Sequence, residues 1–140
     1  MLTWSRIAIA SLAIGSVSFA HGADAINIKF SHVVAPDTPK GLAAEKFKAL
    51  AEKLTNGRVK VQIYPNSQLY KDKEEIEALQ LGAVQMLAPS LSKFGPLGTR
   101  EFEVFDVPYL FPDKAALYRV MDGEIGRSLF AKLESKGIHG

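Results

Sequence analysis

Hydroxyl, imidazole and ammonium side chains gather in two short stretches of the chain, each directly after an apolar run. They are Ser31, His32, Thr38 and Lys40 in the first stretch, and Ser90, Ser92 and Lys93 in the second. These groups can donate charge-assisted hydrogen bonds to an anion. Lys40 also falls in the first turn of a predicted helix, where free backbone N–H groups favour negative charge. The pattern therefore favours a binding site for a carboxylate.

The same residues also have a purely structural interpretation. Lys40 and Lys93 could be solvated surface charges, and Ser90 could simply fill a loop. His32 could be a strand-end residue whose hydrogen bonds are satisfied within the fold. Residue types alone leave both interpretations open.

The residue patterns of common catalytic and metal centres are missing. The chain has no cysteine, which excludes disulfides, thiolate metal sites and a cysteine nucleophile. It has no clustered histidines, no Gly-x-Ser-x-Gly elbow and no phosphate-binding glycine loop, so neither a metal nor a cofactor is predicted. An enzyme would have to use His32 alone as a general base, and a small exported α/β enzyme of this kind is the alternative function. A self-contained adhesion or scaffold module is a third alternative.

Composition narrows the class of protein further. The 140 residues are 47% hydrophobic and 23% charged, which is typical of a globular protein. Lys and Arg number 17 against 15 Asp and Glu, and no basic block is present. No nucleic-acid partner is therefore predicted.

The first 25 residues have the pattern of a secretory signal peptide. Arg6 supplies the positive charge, an uncharged apolar run covers residues 7–20, and small residues permit cleavage after Ala20 or Ala25. A membrane anchor is the alternative, but the run is shorter than the roughly 20 apolar residues that a spanning helix needs. We therefore predict an exported, periplasmic protein that does not span the membrane after cleavage.

The remaining residues, 26–140, alternate between strand and helix patterns. Period-two alternation predicts strands over 26–30 and 59–63, and a short apolar run predicts a third over 84–88. Helices are predicted from Pro39 to Asn56, from Asp72 to Gly82, from Pro112 onward and around Leu129. This order predicts an α/β fold with a largely parallel sheet flanked by helices.

Three local features carry further expectations. Asp72 and Glu75 resemble a capping box at a solvated helix start. Residues 90–100 are expected to form a loop, and the aromatic residues of the stretch 101–111 are assigned to the core rather than to a ligand cleft. Residues 138–140 have the pattern of the first residues of another strand, which favours a chain that is part of a longer protein.

Several blocks resemble the DctP-type substrate-binding proteins of TRAP transporters. They are residues 30–34 (FSHVV), 39–41 (PKG), 61–69 (VQIYPNSQL), 79–86 (LQLGAVQM), 88–90 (APS) and 105–111 (FDVPYLF). The blocks follow one another in the family's order. Residues 31–32 and 88–91 are most similar to the subgroup that binds C4-dicarboxylates.

The resemblance implies a periplasmic-binding-protein-like lobe, truncated before a second lobe is complete. Such proteins close around a carboxylate and hand it to the membrane permease subunits of a TRAP transporter. At the matching positions the ligand-binding residues would be His32, Lys40 and Ser90, together with Lys93 and Phe94. The family's clamp arginine would lie on a strand beyond residue 140.

Overall fold

A computed structural model describes residues 24–140. The expected signal peptide therefore lies almost entirely outside the described residues. The elements are β1 (Ile26–Ser31), α1 (Pro39–Leu54), β2 (Val59–Tyr64), α2 (Glu75–Gln80), β3 (Met86–Leu87), α3 (Lys114–Asp122) and α4 (Glu124–Glu134). Two 3₁₀ segments, Leu91–Leu97 and Arg100–Asp106, lie between β3 and α3.

The three strands form one parallel sheet in the order β2-β1-β3. Ile28 is opposite Val61 across the β1–β2 pair, and Phe30 is opposite Met86 across the β1–β3 pair. The parallel sheet with flanking helices confirms the predicted fold class. The third strand is shorter than predicted, because only two of its residues pair with β1.

Helix α1 begins and ends at the predicted signals. Thr38 caps it, since the threonine Oγ accepts a hydrogen bond from the backbone N–H of Gly41 at 3.2 Å, and Pro39 occupies the first position. The chain leaves the helix through Asn56 and Gly57, which have φ angles of 52° and 75°. The N–H of Gly57 returns to the carbonyl of Glu52 at 2.8 Å.

Two hydrophobic clusters lie on opposite faces of the sheet. The first cluster contains Phe30, Ala44 and Val61, and Met86 packs against it from β3. Leu87, the next residue of β3, packs against the second cluster, and neighbouring side chains of a strand point to opposite faces. The buried members of the second cluster are Ile76, Phe94, Phe102, Leu129, Leu133 and Ile138.

Several local predictions are wrong. The stretch 91–97 is a 3₁₀ segment rather than a loop, although Gly98 ends it with a φ of 85° as a turn residue would. No capping box forms at Asp72, because α2 begins three residues later, at Glu75. The residue before the helix, Glu74, makes no capping hydrogen bond with its side chain. The aromatic stretch is divided: Phe102 is fully buried, whereas Tyr109 is fully exposed at a φ of 61°. Residues 138–140 adopt no strand, although Ile138 is buried.

Among residues 24–140, none of the helices combines the length with the apolar character that crossing a bilayer requires.

Candidate functional site

The strand order creates a crevice at one end of the sheet. β1 lies between its two partners, so the chain leaves its carboxyl end toward β2 by way of α1, and later returns on the other side as β3. Ligands of open parallel sheets bind beyond the strand ends where the order reverses in this way. The residues after β1 and β3 are therefore the candidate site.

Lys40 joins the two sides of this crevice. It is the second residue of α1, and its Nζ donates a 2.8 Å hydrogen bond to the carbonyl oxygen of Ala88, directly after β3. An ammonium group has three donors, and Ala88 accepts from one of them. The half-buried ammonium group of Lys40 thus connects the loops after β1 and β3. Its partner Ala88 lies two residues before Ser90.

Lys93 lies on the first 3₁₀ segment and pairs with Asp72, which precedes α2. The hydrogen bond to Asp72 and its negative charge raise the pKa of Lys93, so this side chain is positively charged. Ser90 precedes the same segment; it is exposed, and its side chain makes no capping hydrogen bond. The pair ties the 3₁₀ segment to the turn before α2.

Glu75, the first residue of α2, is a buried acidic residue that the sequence-based site prediction does not include. Its side chain is 0% exposed, and neither carboxyl oxygen has a hydrogen-bond partner among the described residues. Burial, and after it the negative charge of Asp72, raise the pKa of Glu75 from 4.5 to about 7, against the opposing positive charges of Lys40 and Lys93.

A signal for Glu75 was present in the sequence. It lies four residues before Leu79, on the apolar stripe of the predicted helix, where an acidic residue is unusual. The capping-box interpretation assigned it instead to the backbone at the helix start.

His32 follows β1 directly and is buried. Its ring is 1% exposed and stands edge-on to Phe30, with a centroid distance of 6.0 Å. Neither ring nitrogen has a hydrogen-bond partner among residues 24–140, and the same holds for the buried Oγ of Ser31. His32 thus lies at the strand end as expected, below the surface.

Phe94 lies apart from these polar groups. It is buried in the second cluster, where its ring packs at a tilt on Phe102 with a centroid distance of 5.5 Å. The structure therefore places Lys40, Ser90 and Lys93 on the segments that follow β1 and β3, and assigns Phe94 to the core. Its ligand-binding role, like those of the other residues, stays a prediction. No cluster of metal-ligating side chains occurs in the part of the chain that the structure describes.

Comparison with known proteins places these features in a family. A model described as bacterial extracellular solute-binding protein, family 7, matches residues 30–140. The C4-dicarboxylate-binding periplasmic protein DctP of Rhodobacter capsulatus is 71% identical over 118 residues, which cover 84% of this chain and 35% of that protein. The C4-dicarboxylate-binding protein DctB of Bacillus subtilis is 50% identical, covering 84% of this chain and 33% of its own length.

Solved structures show the same likeness. A TRAP periplasmic solute-binding protein from Pseudomonas aeruginosa with bound L-malate is 52% identical, with a TM-score of 0.77 over 82% of this chain and 40% of that one. A second from Sulfurospirillum deleyianum, with bound succinate, is 48% identical, with a TM-score of 0.75 over 81% and 36%. The chain thus spans about a third of the length of the curated relatives it matches.

Proposed function

Because the chain belongs to the bacterial extracellular solute-binding protein family 7, we propose that it serves as the periplasmic solute receptor of a TRAP transporter. In this role it captures a C4-dicarboxylate and delivers it to a membrane permease. Residues 26–140 form the N-terminal part of a two-lobed domain, and residues 1–25 direct export.

The observation that carries the proposal is the position of two ammonium groups at the carboxyl end of a parallel sheet. Lys40 bridges the loops after β1 and β3, and Lys93 lies on the segment that follows β3. Each ammonium group has three donors, so both retain donors beyond their bonds to Ala88 and Asp72, and the oxygens of an anionic ligand accept such charge-assisted hydrogen bonds. The relatives from Rhodobacter capsulatus and Bacillus subtilis are C4-dicarboxylate-binding proteins by name, and two similar structures hold malate and succinate.

Binding is a better interpretation than catalysis. A general base must reach a proton on the substrate, and the buried ring of His32 offers no accessible nitrogen in this arrangement. The matched relatives are also solute-binding proteins.

The test is calorimetry on the complete gene product with succinate, malate and fumarate. We expect binding of at least one of them, and Lys40→Ala should weaken it by about 1–3 kcal/mol, since a charge-assisted hydrogen bond is lost. Lys46→Ala, on the exposed face of the same helix, is the matched control and should bind like the wild type. Absence of heat with every C4-dicarboxylate would contradict the proposal, and unchanged affinity in Lys40→Ala would remove Lys40 from the site.

A further inference from the structure

Glu75 has no part in the function proposed above, yet it is one of two buried titratable side chains among the described residues. Its carboxyl group is fully buried on the first turn of α2, and both oxygens lack a hydrogen-bond partner among residues 24–140. An ionised carboxylate in such a position loses its hydration without replacement, whereas the neutral acid loses much less. Because the carboxyl group of Glu75 is buried and has no hydrogen-bond partner among the described residues, small changes in nearby charge decide whether it is protonated.

The charges that act on Glu75 come from three different elements. The positive charges of Lys40, on α1, and of Lys93, on the first 3₁₀ segment, favour the ionised form, although neither ammonium group is hydrogen-bonded to the carboxyl. Burial favours the neutral form, as does the negative charge of Asp72 in the turn before α2, and the balance of all these influences is a pKa of about 7. The other buried titratable side chain among the described residues is His32, just beyond β1.

We propose that Glu75 is a positioning residue that takes up one proton when a carboxylate ligand reaches Lys40 and Lys93, so that ligand binding is coupled to protonation of the protein. The inference rests on the proposed function, since it takes these two lysines as the anion-binding groups. The proton comes from solvent and stays on the Glu75 carboxyl, while the ligand stays fully ionised.

The coupling follows from the shared lysines. An arriving carboxylate adds a second negative charge and accepts hydrogen bonds from the ammonium groups whose positive charge stabilises ionised Glu75. The neutral form of Glu75 is then favoured, and its carboxyl group no longer competes with the ligand for the positive charge of the two lysines. By reciprocity, protonation of Glu75 must strengthen ligand binding by the same factor.

The experiment is calorimetric titration of the complete gene product with succinate in buffers of different ionisation enthalpy. Near pH 7.5 the wild type should take up most of one proton per succinate. Its Kd should rise with pH between about pH 7 and pH 8.5, approaching about tenfold per pH unit, the limit for one linked proton. Glu75→Gln should abolish the proton uptake, flatten this pH dependence and bind more tightly than the wild type at the upper end.

Two further measurements keep the result specific to Glu75. Glu77→Gln removes an exposed carboxylate from the same helix and should behave as the wild type. Infrared difference spectra of the wild type with isotopically labelled succinate should show a protein carboxylate band replaced by a protonated carboxyl band on binding, which separates the carboxyl from the imidazole even if Glu75→Gln does not fold.

The outcomes distinguish the two proposals. Succinate binding without proton uptake, or uptake that persists in Glu75→Gln, overturns the inference and leaves the proposed function intact. An equal loss of affinity in Glu75→Gln at every pH would show a merely structural role and also overturns it. Absence of binding by any C4-dicarboxylate overturns the proposed function and this inference together.

Discussion

Lys40 and Lys93 belong to different elements, yet both act on the carboxyl group of Glu75. The sequence predicts the two lysines because ammonium groups after predicted strands are a local signal. It does not predict Glu75, because the charged run 71–75 favours a solvated helix start, which outweighs the position of Glu75 on the apolar stripe. Only packing of α2 against β3 and the following segment places Glu75 inside.

The protonation of Glu75 should also be visible in the stability of the ligand-free protein. Its pKa is raised in the folded state, so its contribution is fully present below about pH 4.5 and is lost as the pH rises through about 7. We expect the wild type to lose up to about 3 kcal/mol relative to Glu75→Gln between pH 4 and pH 8, at about 1.4 kcal/mol per pKa unit.

Chemical denaturation of both proteins at the two pH values measures this difference, with Glu77→Gln as the control. A constant difference between wild type and Glu75→Gln at all pH values would show that the carboxyl is solvated.

At the scale of elements, α1 holds the loop after β1 in place. Gly41, in the first turn, has room for a hydrogen atom only, because a Cβ there would lie 2.5 Å from the carbonyl oxygens of Ala35 and Pro36. The helix and the loop that presents the candidate site are therefore in direct backbone contact.

Gly41→Ala should force this loop away from α1. The expected cost is about 1–3 kcal/mol in the free energy of unfolding, the range for overpacking at a tight contact, and binding of the dicarboxylate should weaken as Lys40 shifts. Denaturant titration and calorimetry measure the two effects. Leu42→Ala, at the exposed neighbouring position, should change neither the stability nor the affinity. If Gly41→Ala were as stable as the wild type, the loop would move away from the helix without cost.

Elements with a strong periodic pattern are the ones that sequence analysis predicts well. β1, β2 and α1 follow their alternation, cap and glycine signals to within a residue or two. The 3₁₀ segments have no comparable signal, because their backbone is set by packing of Phe94 and Phe102 rather than by local preference. The same holds for β3, whose pairing with β1 stops after two residues.

At the scale of the molecule, one thin sheet separates two clusters, and the second cluster supports the segment that carries Lys93. Phe102, fully buried at its centre, packs on both Phe94 and Phe130. Phe102→Ala should cost about 3–5 kcal/mol of stability, as for other large-to-small changes in a core.

Thermal or chemical unfolding of Phe102→Ala measures this cost. Val104→Ala, at an exposed position of the same segment, should stay within about 0.5 kcal/mol of the wild type. Similar stability of the two variants would mean that the second cluster is not a cooperative core.

The central position of β1 has a consequence for the order in which the sheet can form. Among the described residues, both partners of this strand lie later in the chain: β2 begins at Val59, and β3 ends at Leu87. In a chain that emerges from its N-terminal end, β1 can make both pairings only after these distant residues have also emerged, and such non-local pairings form slowly. The sheet is therefore complete only when the chain is present as far as Leu87, although its central strand comes first among the described elements.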